Sequence, residues 1–324
     1  MGKIKTKLIF CTLFDSNYLA QGLTMIESLL NVNNAAVIYV AAMDDLSYKR
    51  LSVNTNPRIK VIDINEIEEA YPKFKQTKTI RSKPEYYYST KGFVCHYILS
   101  KKENIELITY IDSDLYFFSD PQPIFDELQG ASVGITKHNF HWLCFHQKKY
   151  GVYNAGWVTF KSDVKGKKCL EAWMDDCINW CFAYLEGEKY ADQKYLNTWS
   201  KKFLGVKTIQ TKGVNVAPWN IKKYKVKKID DLLYVDNDKL IFYHFSNLKL
   251  VNSNEFRTNL SRVFVSTSGI VKEQLYKPYI EALIKNKFNR ITPILKKRNT
   301  TFKDKFLSFE RHLRNIIYND RISI

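Results

Sequence analysis

The sequence predicts an α/β fold: a mixed, mostly parallel sheet flanked by helices, followed by a helical and basic C-terminal extension. Three observations carry this. Short apolar runs alternate with amphipathic ones from about residue 7 to residue 250, the pattern of strand–helix–strand units. One apolar run ends directly in two aspartates, Asp112 and Asp114, and ligands of such sheets sit beyond the carboxyl ends of the strands. From about residue 253 strand-like runs thin out and Lys, Arg and amphipathic stretches dominate, dividing the chain into 1–252 and 253–324.

Residues 7–13 (KLIFCTL) read as a buried strand that ends in a polar turn, Phe14-Asp15-Ser16-Asn17-Tyr18. Residues 19–30 then place Leu19, Leu23, Ile26 and Leu30 at helical spacing. Two further strands are expected over 35–42 and 60–64, with a short helix over 46–51 between them. An aromatic-rich helix over 86–99 precedes the strand 107–111 (LITYI), which runs into Asp112-Ser113-Asp114. Strands over 131–136 and 156–160, helices over 169–184 and 192–199, and a last strand over 239–245 complete the reading.

With 324 residues, 45% of them hydrophobic, the chain can fill one large core. Charged residues are 26% of the total, close to the globular average, which argues against wholesale disorder. Fifty Lys and Arg against 33 Asp and Glu give a formal charge of +17. That surplus favours polyanionic partners: nucleic acid, an anionic membrane surface or a phosphorylated substrate. Six cysteines lie scattered in apolar stretches with no C-x-x-C pair, which reads as buried free thiols in a reducing compartment. No stretch is apolar for long enough to span a membrane or form a signal-peptide core, so a cytoplasmic location is expected.

Asp112-Ser113-Asp114 is the central chemical feature. Carboxylates between an apolar strand and Leu115-Tyr116-Phe117-Phe118 are costly unless paired or metal-bound. One residue apart at a strand end, both can converge on a hard divalent cation such as Mg²⁺ or Mn²⁺. His244, in Tyr243-His244-Phe245, reads either as a hydrogen-bonded core histidine or as a third ligand. A mixed oxygen and imidazole set suits Mn²⁺ better than Mg²⁺. Asn154-Ala155-Gly156 opens a strand and Asp192-Gln193 opens a helix; each reads as a turn or cap, or as side chains for sugar hydroxyls.

The order Asp112-x-Asp114, Asn154-Ala155-Gly156, Asp192-Gln193-Lys194-Tyr195-Leu196-Asn197 and His244-Phe245 resembles glycosyltransferase family 8, retaining enzymes with a GT-A nucleotide-sugar-binding fold. Tyr153-Asn154-Ala155-Gly156-Trp157 and Val216-Ala217-Pro218-Trp219-Asn220 look closer still to bacterial members from surface-polysaccharide gene sets. The resemblance covers about residues 7–250. It implies a UDP-sugar donor, a saccharide or lipid-linked acceptor, and a cation held by Asp112, Asp114 and His244. It further implies that the turn from Thr12 through Asp15 to Tyr18 holds the nucleotide base. Lys91, Asp112, Ser113 and Asn154 would contact the donor, Asp112 at the ribose, while Asp192 and Gln193 sit at the donor sugar, Gln193 nearest its anomeric face. The family commonly has Gly three residues after the histidine and Lys six after it. Here those positions are Asn247 and Leu250, with Lys249 one residue early. Asn tolerates a left-handed backbone nearly as Gly does.

In this chemistry the cation stabilises a leaving nucleoside diphosphate while the anomeric carbon becomes oxocarbenium-like. No carboxylate nucleophile is assigned. A sugar-nucleotide pyrophosphorylase would normally show a Gly-rich loop after the first strand, and Thr12 to Ser16 contains no glycine. A nucleic-acid-binding protein would account for the charge but not for the aspartate pair. In the C-terminal extension, Phe302, Phe306, Phe309, Leu313 and Ile316 fall at helical spacing among clustered Lys and Arg. That segment reads as a helix docked on the catalytic domain, or as peripheral attachment to the inner face of the cytoplasmic membrane.

Overall fold

The computed structural model describes residues 7–252, 255–287 and 317–323. In chain order, β1 (Leu8–Phe14), α1 (Leu19–Val32), β2 (Ala36–Ala42), α2 (Asp45–Ser52) and β3 (Ile59–Asp63) form two parallel crossover units. The chain then builds α3 (Ile64–Ala70), α4 (Pro72–Gln76) and α5 (Lys83–Lys101) before returning through β4 (Leu107–Ile111) and β5 (Leu115–Phe117). Next come α6 (Gln122–Glu127), β6 (Val133–Lys137), β7 (Tyr153–Lys161), α7 (Val164–Asn179), α8 (Trp199–Lys202) and β8 (Val206–Thr208).

Seven of these strands form one sheet in the order β3-β2-β1-β4-β7-β6-β8. The neighbours β3, β2, β1 and β4 are parallel; β7 runs antiparallel to both β4 and β6. All of β1 except Ile9 is buried, because helices cover both faces of a parallel sheet, and this explains its unbroken apolar sequence. One face packs on α5 and α7, with Phe93, Val94, Leu170 and Trp173 in the core, and the other on α1, with Met25, Ile26 and Leu29.

β4 and β7 pair so that Ile111 lies opposite Trp157, and the Asp112 amide donates to the Gly156 carbonyl at 3.0 Å. The β6–β7 register shifts at this point: Ile135 pairs with Val158 but Thr136 with Asn154. Ala155, Gly156 and Trp157 therefore bulge, and bulges re-aim side chains beside sites. Beyond the sheet, β9 (Val226–Ile229), β10 (Leu232–Val235) and β11 (Asp238–Lys239) form a small meander. Then β12 (Phe242–His244) pairs antiparallel with β5, His244 opposite Leu115.

Three expectations need correction. The helix expected over 169–184 starts earlier and stops at Asn179, where Trp180 turns extended and packs edge-on against Phe182 and Tyr184. The strand expected over 239–245 is broken, because the Ile241 amide turns to the Gly213 carbonyl instead of a ladder partner. The helix expected over 192–199 is a 3-10 turn, Lys194–Thr198, leading into α8.

The expected boundary at residue 252 falls between β13 (Lys249–Asn252) and β14 (Glu255–Arg257), which pair with each other, while β15 (Arg321–Ser323) pairs with β14. α9 (Lys277–Lys285) packs on α1, and Tyr279 lies flat on Phe245 at 3.8 Å between ring centroids. The expected Phe-lined basic helix after residue 295, with its stripe from Phe302 to Ile316, lies outside the described residues. All six cysteines are buried free thiols. No helix among the described residues is long and apolar enough to cross a membrane.

Candidate functional site

The loop that links β4 to β5 carries Asp112, Ser113 and Asp114 and is tied at both ends. Asp112 is held to β7 as above, and the Asp114 carbonyl accepts from the Phe245 amide at 2.9 Å. His244, on β12, is thereby brought against the loop: its Nε2 lies 3.0 Å from Asp114 Oδ1. One ligand atom each from Asp112, Asp114 and His244 fall within 4.8 Å of one another. Burial works to raise the Asp114 carboxyl, but the His244 charge and hydrogen bond outweigh it and hold the acid below its ordinary value. Burial works to lower His244, yet the charges of Asp114 and Asp112 raise it.

The geometry of this cluster fits a divalent cation, with His244 Nε2 as the nitrogen turned toward the carboxylates. Gly156 keeps space beside the cluster that any side chain would fill: a Cβ there would lie 2.9 Å from Asp112 Oδ2 and 3.0 Å from His244 Cε1. Two carboxylates and an imidazole are the donor set that Mn²⁺ accepts.

α5 brings Lys91 beneath the cluster. Its ammonium lies 3.0 Å from Asp112 Oδ1 and 3.1 Å from Asp192 Oδ2, and donates to the Ala155 carbonyl at 3.3 Å. Burial opposes that charge, but the two carboxylates raise the Lys91 pKa well above the ordinary lysine value, so it stays protonated. Asp192 is the more buried acid. Burial raises its pKa, the Lys91 charge pulls it back, and Asp112 pushes it up again, leaving it above the ordinary range. Asn154 accepts from the Gly156 amide at 3.0 Å through Oδ1, and its Nδ2 lies 3.3 Å from His138 Nε2.

These groups line a cleft of about 830 Å³. The structure brings Asp15, Tyr18, Lys91, Asp112, Ser113, Asp114, Asn154, Asp192, Gln193, His244 and Lys249 to it together. Thr12 is the exception: it is fully buried in β1 and does not line the cleft, since its neighbour Leu13 takes the strand's open end. At that end Asp15 caps the turn, accepting from the Asn17 and Tyr18 amides, and pairs with Lys83 at 2.5 Å. Burial raises Asp15, but Lys83 and Asn17 prevail and hold it ionised below its usual value. Asn247 has φ 68°, the left-handed turn expected of it, and Lys249 follows at the rim. Gln193 donates to the Tyr150 carbonyl at 3.0 Å.

Several lining residues escaped the sequence reading. Trp219 packs edge-on to His244 at 5.1 Å, its Nε1 buried without a partner. His138 stacks on Phe140; burial and the neighbouring His244 push its pKa down to about 3, so it stays neutral. Tyr87, Tyr88 and Tyr279 complete the walls. Trp219 lay in a run already singled out by resemblance; the others carry no local signal and become visible only when distant segments meet.

No protein-family model matches the chain. YfnD of Bacillus subtilis strain 168, an uncharacterized protein, is 31% identical over 274 residues, covering 84% of this chain and 87% of YfnD. The chain belongs to the YfnD family. A second uncharacterized member from the same organism, YfnF, is 31% identical over 257 residues, covering 76% of this chain and 84% of YfnF. Among solved structures, the galactosyltransferase LgtC, in complex with donor and acceptor sugar analogues, superposes with a TM-score of 0.50 at 14% identity. The match covers 74% of this chain and 87% of LgtC, so this YfnD-family chain has a GT-A type fold.

Proposed function

We propose that this protein is a metal-dependent glycosyltransferase that moves a sugar from a UDP-sugar to a saccharide or lipid-linked acceptor. The observation that supports it most is the convergence of Asp112, Asp114 and His244 in a cleft with Asp15 at one end and Asn154, Asp192 and Gln193 at the other. Asp112, Asp114 and His244 would hold Mn²⁺, or Mg²⁺ with weaker preference. When bound, the cation supplies Lewis-acid stabilisation of the departing diphosphate.

The chain's own groups do the rest. Asp15, ionised and acceptor-only, faces the nucleotide end. Lys249 at the rim offers positive charge to phosphate oxygens. Asp192 and Asn154 lie on the cleft wall, where they would meet donor-sugar hydroxyls, with Lys91 holding Asp192 Oδ2 by its charge. Lys91 holds Asp112 and Asp192 in register. The motif order that resembles glycosyltransferase family 8 supports a UDP-sugar donor and retention, and the bacterial-type runs support a role in surface glycan assembly from the cytoplasmic side.

Thermal-shift measurements of UDP-, GDP-, CMP- and dTDP-sugars, with and without Mn²⁺, test the reading. A UDP-sugar should raise the melting temperature, and more so with Mn²⁺. Asp112→Asn and Asp114→Asn should keep the metal-free melt but lose transfer. His244→Ala should weaken Mn²⁺ affinity about 10–100-fold. Full wild-type turnover after metal stripping and in excess EDTA would overturn the proposal.

A further inference from the structure

Two segments that the catalytic reading leaves aside meet on one surface beside the cleft. Residues 137–150 and 219–228 contain no acidic side chain. The His141 amide donates to the Trp219 carbonyl at 2.9 Å, and Asn139 hydrogen-bonds to both Lys223 and the Tyr224 hydroxyl. Lys148, Lys149, Lys222, Lys223, Lys225 and Lys228 are all exposed. Burial and the charge of Lys148 lower the Lys223 pKa, and acids enter only at the far edge of the field, where Asp231 lies 3.9 Å from Lys228. Within this basic field, Trp142 is 67% exposed and Phe145 49%, although Cys144 between them is buried.

We propose that this surface docks on an anionic phospholipid bilayer, Trp142 and Phe145 entering the interface while the lysines meet headgroup phosphates. Aromatic side chains flanked by lysines are the composition that settles at a membrane–water boundary. The Lys148 ammonium already covers one face of the Phe145 ring at 4.0 Å, which leaves that ring poorly placed to stack with a nucleic-acid base. Gln147, Tyr150 and Trp219, from the same two segments, line the cleft. Docking would therefore hold the mouth of the cleft at the bilayer, where a lipid-linked acceptor presents its headgroup.

All six tryptophans lie among the described residues; Trp142 is exposed, Trp219 is part-buried in the cleft wall and the other four are buried. Quenching of intrinsic fluorescence by vesicles of brominated phosphatidylcholine with phosphatidylglycerol therefore reports mainly on Trp142 in the full chain. Wild-type protein should be quenched, less so at high salt, and Trp142→Phe should remove most of the quenching. Each Lys→Gln change at Lys148 and Lys149 should weaken vesicle partition about fivefold, the equivalent of about 1 kcal/mol per lysine. No quenching of wild type, or quenching undiminished in Trp142→Phe, would overturn the proposal, and the wild-type measurement does not depend on how a variant folds. Patch-dependent binding to single-stranded DNA or polyphosphate without vesicle binding would also overturn it, in favour of a soluble polyanion. No donor sugar is needed, so success or failure here is separate from the transfer chemistry.

Discussion

One ammonium group serves two carboxylates beneath the cleft, and that sharing sets the sensitivity of single residues. Removing Lys91 leaves Asp192 buried with no counter-charge, which should cost about 3–5 kcal/mol of stability. The pH dependence has a defined sign. Asp192 sits above its unfolded pKa, so its contribution to stability is present at low pH and lost as pH rises through the folded value. Without Lys91 that upward shift grows, so the deficit of Lys91→Ala should be largest at neutral pH and shrink in acid. Urea denaturation at two pH values checks this; an equal deficit at both would assign the loss to packing. Gly156→Ala places a Cβ 2.6 Å from Asn154 Oδ1 as well as against Asp112 and His244. It should cost about 1–3 kcal/mol in stability and impair Mn²⁺ binding further, as read by metal titration.

At the scale of elements, the three-residue pair β5 and β12 does what neither sequence run announces. It carries His244 across the fold to Asp114 and hands the chain on to Asn247 and Lys249 at the rim. The ring of Phe245, next along, is clamped by Tyr279 of α9, which also lines the cleft. Tyr279→Ala should therefore lower stability by about 3–5 kcal/mol and disturb the site through β12. Chemical denaturation together with Mn²⁺ affinity would register both effects; a stability loss with unchanged metal affinity would confine α9 to a packing role. The bulge in β7 acts similarly, since a ladder without it would turn Asn154 and Gly156 differently relative to the loop after β4.

For the whole molecule, the cleft draws on the end of β1, on α5, on the loop after β4, and on β7, β12 and α9, segments far apart in the chain. A ligand bridging them stabilises the native state as a unit. With Mn²⁺ present, UDP at a hundred times its dissociation constant should add about 2.7 kcal/mol to unfolding. Scanning calorimetry should show one transition moving upward; two transitions, one of them indifferent to UDP, would show that the C-terminal elements melt separately.

The amino-acid sequence alone determined the alternation that builds the parallel half of the sheet, because helix and strand periods are local properties of the chain. It also marked Asp112 and Asp114, because two charges at the end of a mostly apolar strand need a partner wherever the fold places them. Only the tertiary structure decided that His244 faces Asp114, that Lys91 lies between Asp112 and Asp192, and that Thr12 is buried and does not line the cleft. It likewise gathered Trp219, His138 and Tyr279 around the same space. Such pairings depend on register, on a bulge and on strands of three residues, which carry no period to read. Their stabilising contacts span long stretches of chain and come into being only when the sheet has closed.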